Sequence, residues 1–545
     1  MKYLLYALVI VSFLSCKKDA DKSTNLEQSA SDTTTVATKD LREFKVLDSK
    51  YINNDIFWAP INDDLADFSE SDYEVLKPLI IDQDIPALQK SINTGKLSYE
   101  KLTKFYLYRI RKFDRENDLS LNSVISINPD AIADAKQKDR ELLNRKLKHP
   151  IFGMPVLLKD NINATGMPTT AGAVALINNM TGDAFITKQL KKHGAVILGK
   201  TNLSEWANFL SANSSNGYSA VGGQTLNPYG RRVIDTGGSS SGSGVAVAAN
   251  FCAAAVGSET AGSILSPSSQ NSVVGLKPTI GLLSRSGIVP ISSTLDTPGP
   301  MARNVTDDAI MLDAMLGYDP QDSKSMRPDN ETPFYKGLSM DALKGKRFGA
   351  LKSLMEDSLY VAAVTDLKAQ GAAVVEIEGA DIKLPNFLRL LNLDMQKDLP
   401  AYFSKFGGKD LTVSDMQDVI DFNKKDSLNT IPYGQALFLG AVADHATPEE
   451  FQTIKDSLKI NGRLFFDVPM KANNLDGILS INNYHAGFAA VAEYPAITVP
   501  MGYNDTGAPE GLTFISKPRS EKQLLDWAYA YEQASKNRIS PKNYK

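Results

Sequence analysis

The sequence predicts an α/β fold, a sheet covered by helices on both faces, and three observations point to it. A helix-period segment from Asp183 to His193 closes on Gly194 and runs straight into the apolar stretch Ala195 to Leu198. The same helix–glycine–strand unit returns at Ser358 to Gly371 and Ala372 to Ile377. A third apolar run, Phe152 to Lys159, carries Met154, Val156, Leu157 and Leu158 without alternation, as a strand buried on both faces does. Short buried strands alternating with helices build a layered α/β sheet.

Taken in order, the chain opens with Lys2 and an apolar run from Tyr3 to Leu14 that ends at Ser15-Cys16. So short a run cannot span a bilayer but matches the core of a secretory signal. A cysteine placed directly after it is similar to a bacterial lipoprotein site, where that residue is lipidated and becomes the first of the mature chain. An ordinary signal peptide with an incidental Cys16 is the alternative. Residues 1–16 are therefore expected to be a lipoprotein-type signal. Residues 17–45, rich in Lys, Asp, Ser and Thr and free of aromatics until Phe44, are expected to be a disordered tether. Together they lead to the expectation of a cell-envelope protein, anchored to a membrane by lipid in the periplasm or at the outer membrane.

Beyond the tether, Ser98 reads as a helix N-cap with Leu102, Phe105, Tyr106 and Ile110 at helical spacing behind it. Asn122 to Ile127 is strand-like, and Asn128-Pro129-Asp130 supplies a cap, a proline and an early acid for the next helix. No Pro/Gly-rich linker divides residues 80 to 535, so residues 46–545 are expected to form one domain. A more polar, helix-rich insertion on the substrate side is expected over residues 307–471.

Composition narrows the function. A net charge of −4 with no basic–aromatic run argues against a nucleic-acid partner. Cys16 and Cys252 are the only cysteines, which excludes a disulfide framework. His149, His193, His445 and His485 are scattered and form no H-E-x-x-H, so no metal site is expected, and no cofactor either.

Two segments carry the chemistry. Thr236-Gly237-Gly238-Ser239-Ser240-Ser241-Gly242-Ser243-Gly244 runs into the apolar Val245 to Ala249, and Gly257-Ser258-Glu259-Thr260-Ala261-Gly262-Ser263-Ile264 follows the strand-like Phe251 to Val256. A phosphate loop would need a lysine after the glycines, and none is there. Gly238 to Gly242 satisfies G-x-S-x-G, which would make Ser240 the nucleophile of an elbow with His485 as nominal base; the long strand that should precede an elbow is missing. A flexible linker is the bland alternative, against which stand the apolar helix and strand that follow at once.

A fourth reading rests on resemblance. Phe152 to Asn161 resembles the lysine segment of the amidase signature family, Gly237 to Ala249 its Gly-Gly-Ser-Ser loop, and Gly257 to Ile264 its nucleophile segment. Val274 to Thr279, Asp296 to Met301, Tyr494 to Pro500 and Gly511 to Ile515 continue the match in order. The resemblance implies a mixed central sheet of about eleven strands covered by helices, and a Ser–cisSer–Lys triad. Carried over residue by residue, Ser263 would be the nucleophile, Ser239 the bridging serine preceded by a cis peptide, and Lys159 the base. The oxyanion hole would be made by N–H groups of Thr260, Ala261, Gly262 and Ser263. Ala261 departs from the usual Asp or Gly, and Leu265 stands where many relatives, including glutamine-hydrolysing transamidases, carry Arg. Ser258 to Ser263 and Ala528 to Gln533 look most like the peptide-amidase branch.

The implied reaction is hydrolysis of small-molecule or peptide carboxamides through an acyl-enzyme. The alternatives are a non-catalytic amide-binding lipoprotein and the glutaminase component of a transamidase. Amide hydrolysis needs a nucleophile, a base that later protonates the leaving amine, and donors for the oxyanion. An ordinary lysine has a pKa near 10.4, so only about one in a few thousand is neutral at pH 7. Burial at the end of an apolar strand lowers that value, and a carboxylate pairing with the amine would raise it again. Asp160 is therefore expected to turn away from Lys159 and hold loop backbone.

Overall fold

The computed structural model describes residues 46–115, 118–142, 148–328 and 332–545. The expected signal segment, Cys16 and the tether to residue 45 lie outside the described residues.

Eleven strands form one mixed sheet. In chain order they are β1 (Val124–Ile127), β2 (Pro155–Lys159), β3 (Val196–Thr201), β4 (Ala254–Glu259), β5 (Val274–Lys277), β6 (Thr297–Ala302), β7 (Arg347–Leu351), β8 (Ala373–Ile377), β9 (Gly477–Ile481), β10 (Ala496–Tyr503) and β11 (Pro509–Ile515). Across the sheet the order is β1-β3-β2-β4-β6-β5-β10-β11-β9-β7-β8. Helices cover it, which makes the fold α/β.

Strand β2 lies between β3 and β4 and runs parallel to both. All five of its residues are buried, which is why the sequence shows an unbroken apolar run ahead of the lysine. Leu158 pairs with Val256. Lys159 therefore leaves the sheet beside the end of β4, and the two parallel strands deliver the lysine and the Ser258–Ser263 segment to one edge.

Local signals explain the elements around them. The helix Tyr99–Ile110 starts at Ser98, whose hydroxyl accepts the Lys101 N–H at 3.1 Å. Asn128 Oδ1 accepts the Asp130 N–H at 3.1 Å ahead of the helix Ala131–Leu142. The helix Phe185–Lys192 ends at Gly194, whose φ of +91° reverses the chain into β3 and whose Cα sits against the Phe152 ring, with no room for a Cβ. The helix Ser241–Ala248 is buried on every side and packs on β2, β4 and β6.

The segment 307–471, expected to be helix-rich, also holds two strands. It contributes β7 and β8, which close one edge of the main sheet through parallel pairs with β9 and each other. The helical excursion is shorter, from Phe387 to Asn473. The second helix–glycine–strand unit lies inside that segment, and its strand is half exposed because it is the edge. The buried apolar side chains form one continuous core from Phe57 to Tyr544, with a small satellite at Val174, Ala220 and Val221.

Candidate active site

Lys159 is wholly buried. Its Nζ donates to Ser239 Oγ at 2.8 Å, to Ser258 Oγ at 3.0 Å and to the Ser258 carbonyl at 3.1 Å. Burial pushes the amine down to about 7, against the attraction of Asp296 and Glu259. At that value about half of the lysines are neutral at pH 7, against about one in a few thousand for an ordinary lysine. Asp160 faces the other way. Its carboxylate accepts the Thr170 N–H at 3.1 Å and the Thr170 hydroxyl, and pairs with Lys200 at 3.0 Å.

The Gly238–Ser239 peptide is cis. The Ser239 carbonyl accepts the Ser204 N–H at 3.1 Å, and the next residue, Ser240, donates its N–H to the Ser263 carbonyl at 3.2 Å. That bond ties the Gly/Ser loop to the segment carrying Ser263. Glu259 closes the segment by accepting the N–H groups of Ile264 and Leu265 at 2.7 and 3.0 Å. Between these anchors the chain turns at Gly262, with φ +96° and a Cβ position only 2.8 Å from Asn483 Nδ2, so glycine is required there. Among the described residues, no acceptor takes the N–H groups of Ala261, Gly262 or Ser263. Thr260 is held by its side chain, whose hydroxyl donates to Asp296 Oδ1 at 2.6 Å.

A cavity of about 180 Å³ opens beside Ser258, whose hydroxyl accepts from Lys159. Ser258 and Thr260 form its inner wall, the loop Arg285 to Pro298 one side, and Asp398, Tyr402 and Phe406 of the helix Phe387–Phe406 another. Arg285 is committed there, through Nε and Nη2 to Asp322 and through Nη1 to the Ser293 carbonyl.

The residues singled out in the sequence do not all meet. Lys159, Ser239 and the Thr260–Ser263 turn come together. The elbow pair does not: Ser240 Oγ donates to the Ser258 carbonyl at 3.1 Å, while His485 Nδ1 sits 2.6 Å from Ser480 Oγ and its ring stacks on Phe465. Leu265 is fully buried in the core and lines no part of the cavity, so its side chain does not meet a substrate group directly. Three residues of the site carry no assignment from the sequence. Ser258 accepts from Lys159, Asn161 donates to the same Ser258 hydroxyl at 2.9 Å, and Asp398 enters from the distant helix. The position of Asn161 two residues past the lysine is the signal the sequence offers for it. Among the described residues no His, Cys, Asp and Glu group has the arrangement of a metal site.

Comparison with known proteins gives concordant results. The family model described as Amidase matches residues 101–449. A probable amidase of Arabidopsis thaliana is 37% identical over 478 residues, 84% of this chain and 91% of its own length. A glutamyl-tRNA(Gln) amidotransferase polypeptide of Microcystis aeruginosa is 32% identical over 482 residues, 82% of this chain and 96% of its own. Among solved structures, an amidase family protein from Bacillus anthracis superposes with a TM-score of 0.87 at 39% identity, covering 91% of this chain and 100% of that one. The native peptide amidase from Stenotrophomonas maltophilia gives 0.79 at 39%, covering 85% and 98%.

Proposed function

The chain belongs to the amidase family and is an amide-hydrolysing enzyme, and on that premise we propose that Ser263 is its nucleophile, Ser239 its proton bridge and Lys159 its base. The observation that carries the reading is the 2.8 Å hydrogen bond from a fully buried Lys159 to Ser239. A neutral Lys159 takes the Ser239 proton while Ser239 takes that of Ser263, and Ser263 Oγ bonds to the carbonyl carbon of the amide. The oxyanion that forms meets the uncommitted N–H groups of Ala261, Gly262 and Ser263. Collapse breaks the C–N bond, and the amine leaves with the proton returned from Lys159 through Ser239. Water then attacks the acyl-enzyme along the same relay, releasing the carboxylate and restoring the serine.

Peptide or small-molecule carboxamides are the substrates this reading favours, by analogy with the peptide amidase. The similarity to the amidotransferase favours a second reading, a glutaminase. Against it stands Arg285, a cation of the cavity wall that is already bound to Asp322. The proposal includes export, with Tyr3 to Leu14 as signal and Cys16 as lipid attachment point.

Lys159→Met keeps the apolar stem and removes only the amine, so it tests the chemistry without emptying the core. The expected result is a folded protein whose kcat on an N-acyl amino-acid amide falls by far more than tenfold. Retention within about tenfold, a loss under about 1.4 kcal/mol of barrier, would overturn the assignment of the base.

A further inference from the structure

The cavity beside Ser258 leaves an acceptor without a donor. Asn161 lines it, is only 3% exposed, and spends its two N–H groups on Ser258 Oγ at 2.9 Å and the Val289 carbonyl at 3.4 Å. Its Oδ1 has no hydrogen-bond partner among the described residues. A buried amide oxygen without a donor costs free energy unless something fills the gap, and only an N–H or O–H can do so.

The charges around the same space tell the same story. Asp296, Asp322 and Asp398 line the cavity together with Arg285 and Lys405. The Asp296 oxygens are occupied by the Thr260 hydroxyl and by the N–H groups of Ile291 and Ser292. Asp322 holds Arg285 through both oxygens. Lys405 is exposed to solvent. That leaves Asp398, which takes the Ser293 N–H at 2.5 Å but forms no ion pair among the described residues. Asp394, one turn earlier on the helix, adds a further negative charge, and burial with these neighbours holds the Asp398 carboxyl up at about 6. The guanidinium of Arg285 and the Thr260 hydroxyl are bound within the protein, while an amide oxygen and a carboxylate remain for a guest.

We propose that the cavity receives a cationic group of the substrate, an ammonium or guanidinium, with its charge against Asp398 and an N–H of the substrate donated to Asn161 Oδ1. Asp398 is thus a specificity-determining residue for amides of basic amino acids, and the cavity volume of about 180 Å³ accommodates a side chain of lysine or arginine size. The inference rests on the amidase reading above and names the substrate class of that same site.

Citrulline is an uncharged near-isostere of arginine, so the pair separates charge from shape. The full chain is assayed at pH 8, where Asp398 is ionised, on N-acyl-L-arginine amide and N-acyl-L-citrulline amide. A kcat/KM ratio of at least about tenfold for arginine is expected, the size of one desolvated charge contact. In Asp398→Asn the ratio falls below about threefold. A ratio cancels any loss of active enzyme, so a merely structural role for Asp398 leaves it unchanged. Equal turnover of the two amides by the unaltered protein overturns the inference and leaves the amidase reading standing, as does a ratio that survives Asp398→Asn. If neither amide is cleaved and no serine reacts with a fluorophosphonate, the reading of the site itself fails, and this inference with it.

Discussion

Asp160 follows Lys159 directly in the chain, yet its carboxylate pairs with Lys200 at 3.0 Å. Lys200 and Asp160 are both buried, with side chains 0% and 1% exposed, so each neutralises the other away from water. Lys159 is thereby left next to serines and a carbonyl, surroundings in which a neutral amine is stable. Replacing Lys200 with Met strands the Asp160 carboxylate in the interior, and breaking such a pair costs about 3–5 kcal/mol. Urea unfolding of Lys200→Met measures this directly. A loss below about 1 kcal/mol would show that the pair is not holding the site in place.

The depressed Lys159 sets the pH profile. As the proposed base, the amine acts only when neutral, and burial brings its folded value to about 7. As pH falls through that value the lysine gains a proton and the base is lost; as pH rises through it, kcat/KM climbs to a plateau. About one tenth of the plateau is expected one pH unit below the midpoint. A rate still climbing steeply between pH 9 and 10 would mean that Lys159 keeps an ordinary lysine value.

The proposed site is expected to disfavour substrates with a free carboxylate beside the scissile amide. Arg285 is bound to Asp322, and Arg303 donates to the carbonyls of Cys252 and Gln83. No guanidinium of these two is left to form a paired fork with a substrate carboxylate. Relative to an N-acyl amino-acid amide of similar size, glutamine is expected to lose roughly 30- to 1,000-fold in kcat/KM. Equal or faster turnover of glutamine favours the glutaminase reading.

Much of this site is legible in the sequence, and the parts that are not have a common cause. Lys159 is readable because an unbroken apolar run ends on a charged residue, and the serines because two Gly/Ser segments flank a buried helix and strand. Ser258 and Asn161 lie inside those same segments, but which hydroxyl or amide turns toward the lysine depends on the pairing of β2 with β4, a contact about 100 residues apart in the chain. Asp398 is further still. It lies on an amphipathic helix whose polar positions look alike until the cavity is seen. Leu265 illustrates the opposite error. It stands where many relatives carry Arg, which draws attention to it as a contact, whereas the chain enters a helix there and sends the side chain into the core. The edge strand β8 is legible as the Ala372 to Ile377 stretch after Gly371, whereas β7, buried between β9 and β8, follows no such helix–glycine signal in its polar surroundings.

The reading of the N-terminus has its own test. Export with lipid attachment at Cys16 predicts that metabolic labelling with a fatty-acid probe marks the unaltered protein and that Cys16→Ala removes the label. Acylated protein from the Cys16→Ala gene rules the site out.

The assignment of Ser263 as nucleophile is tested most directly by covalent labelling. The purified protein is treated with a fluorophosphonate, digested, and the modified peptide sequenced by mass spectrometry. Modification at Ser263 is predicted, because Ser263 sits in the turn with uncommitted N–H groups while Ser240 is bonded in both directions to Ser258. Modification at Ser240, with Ser263 untouched, would contradict the triad and move the chemistry to a different nucleophile.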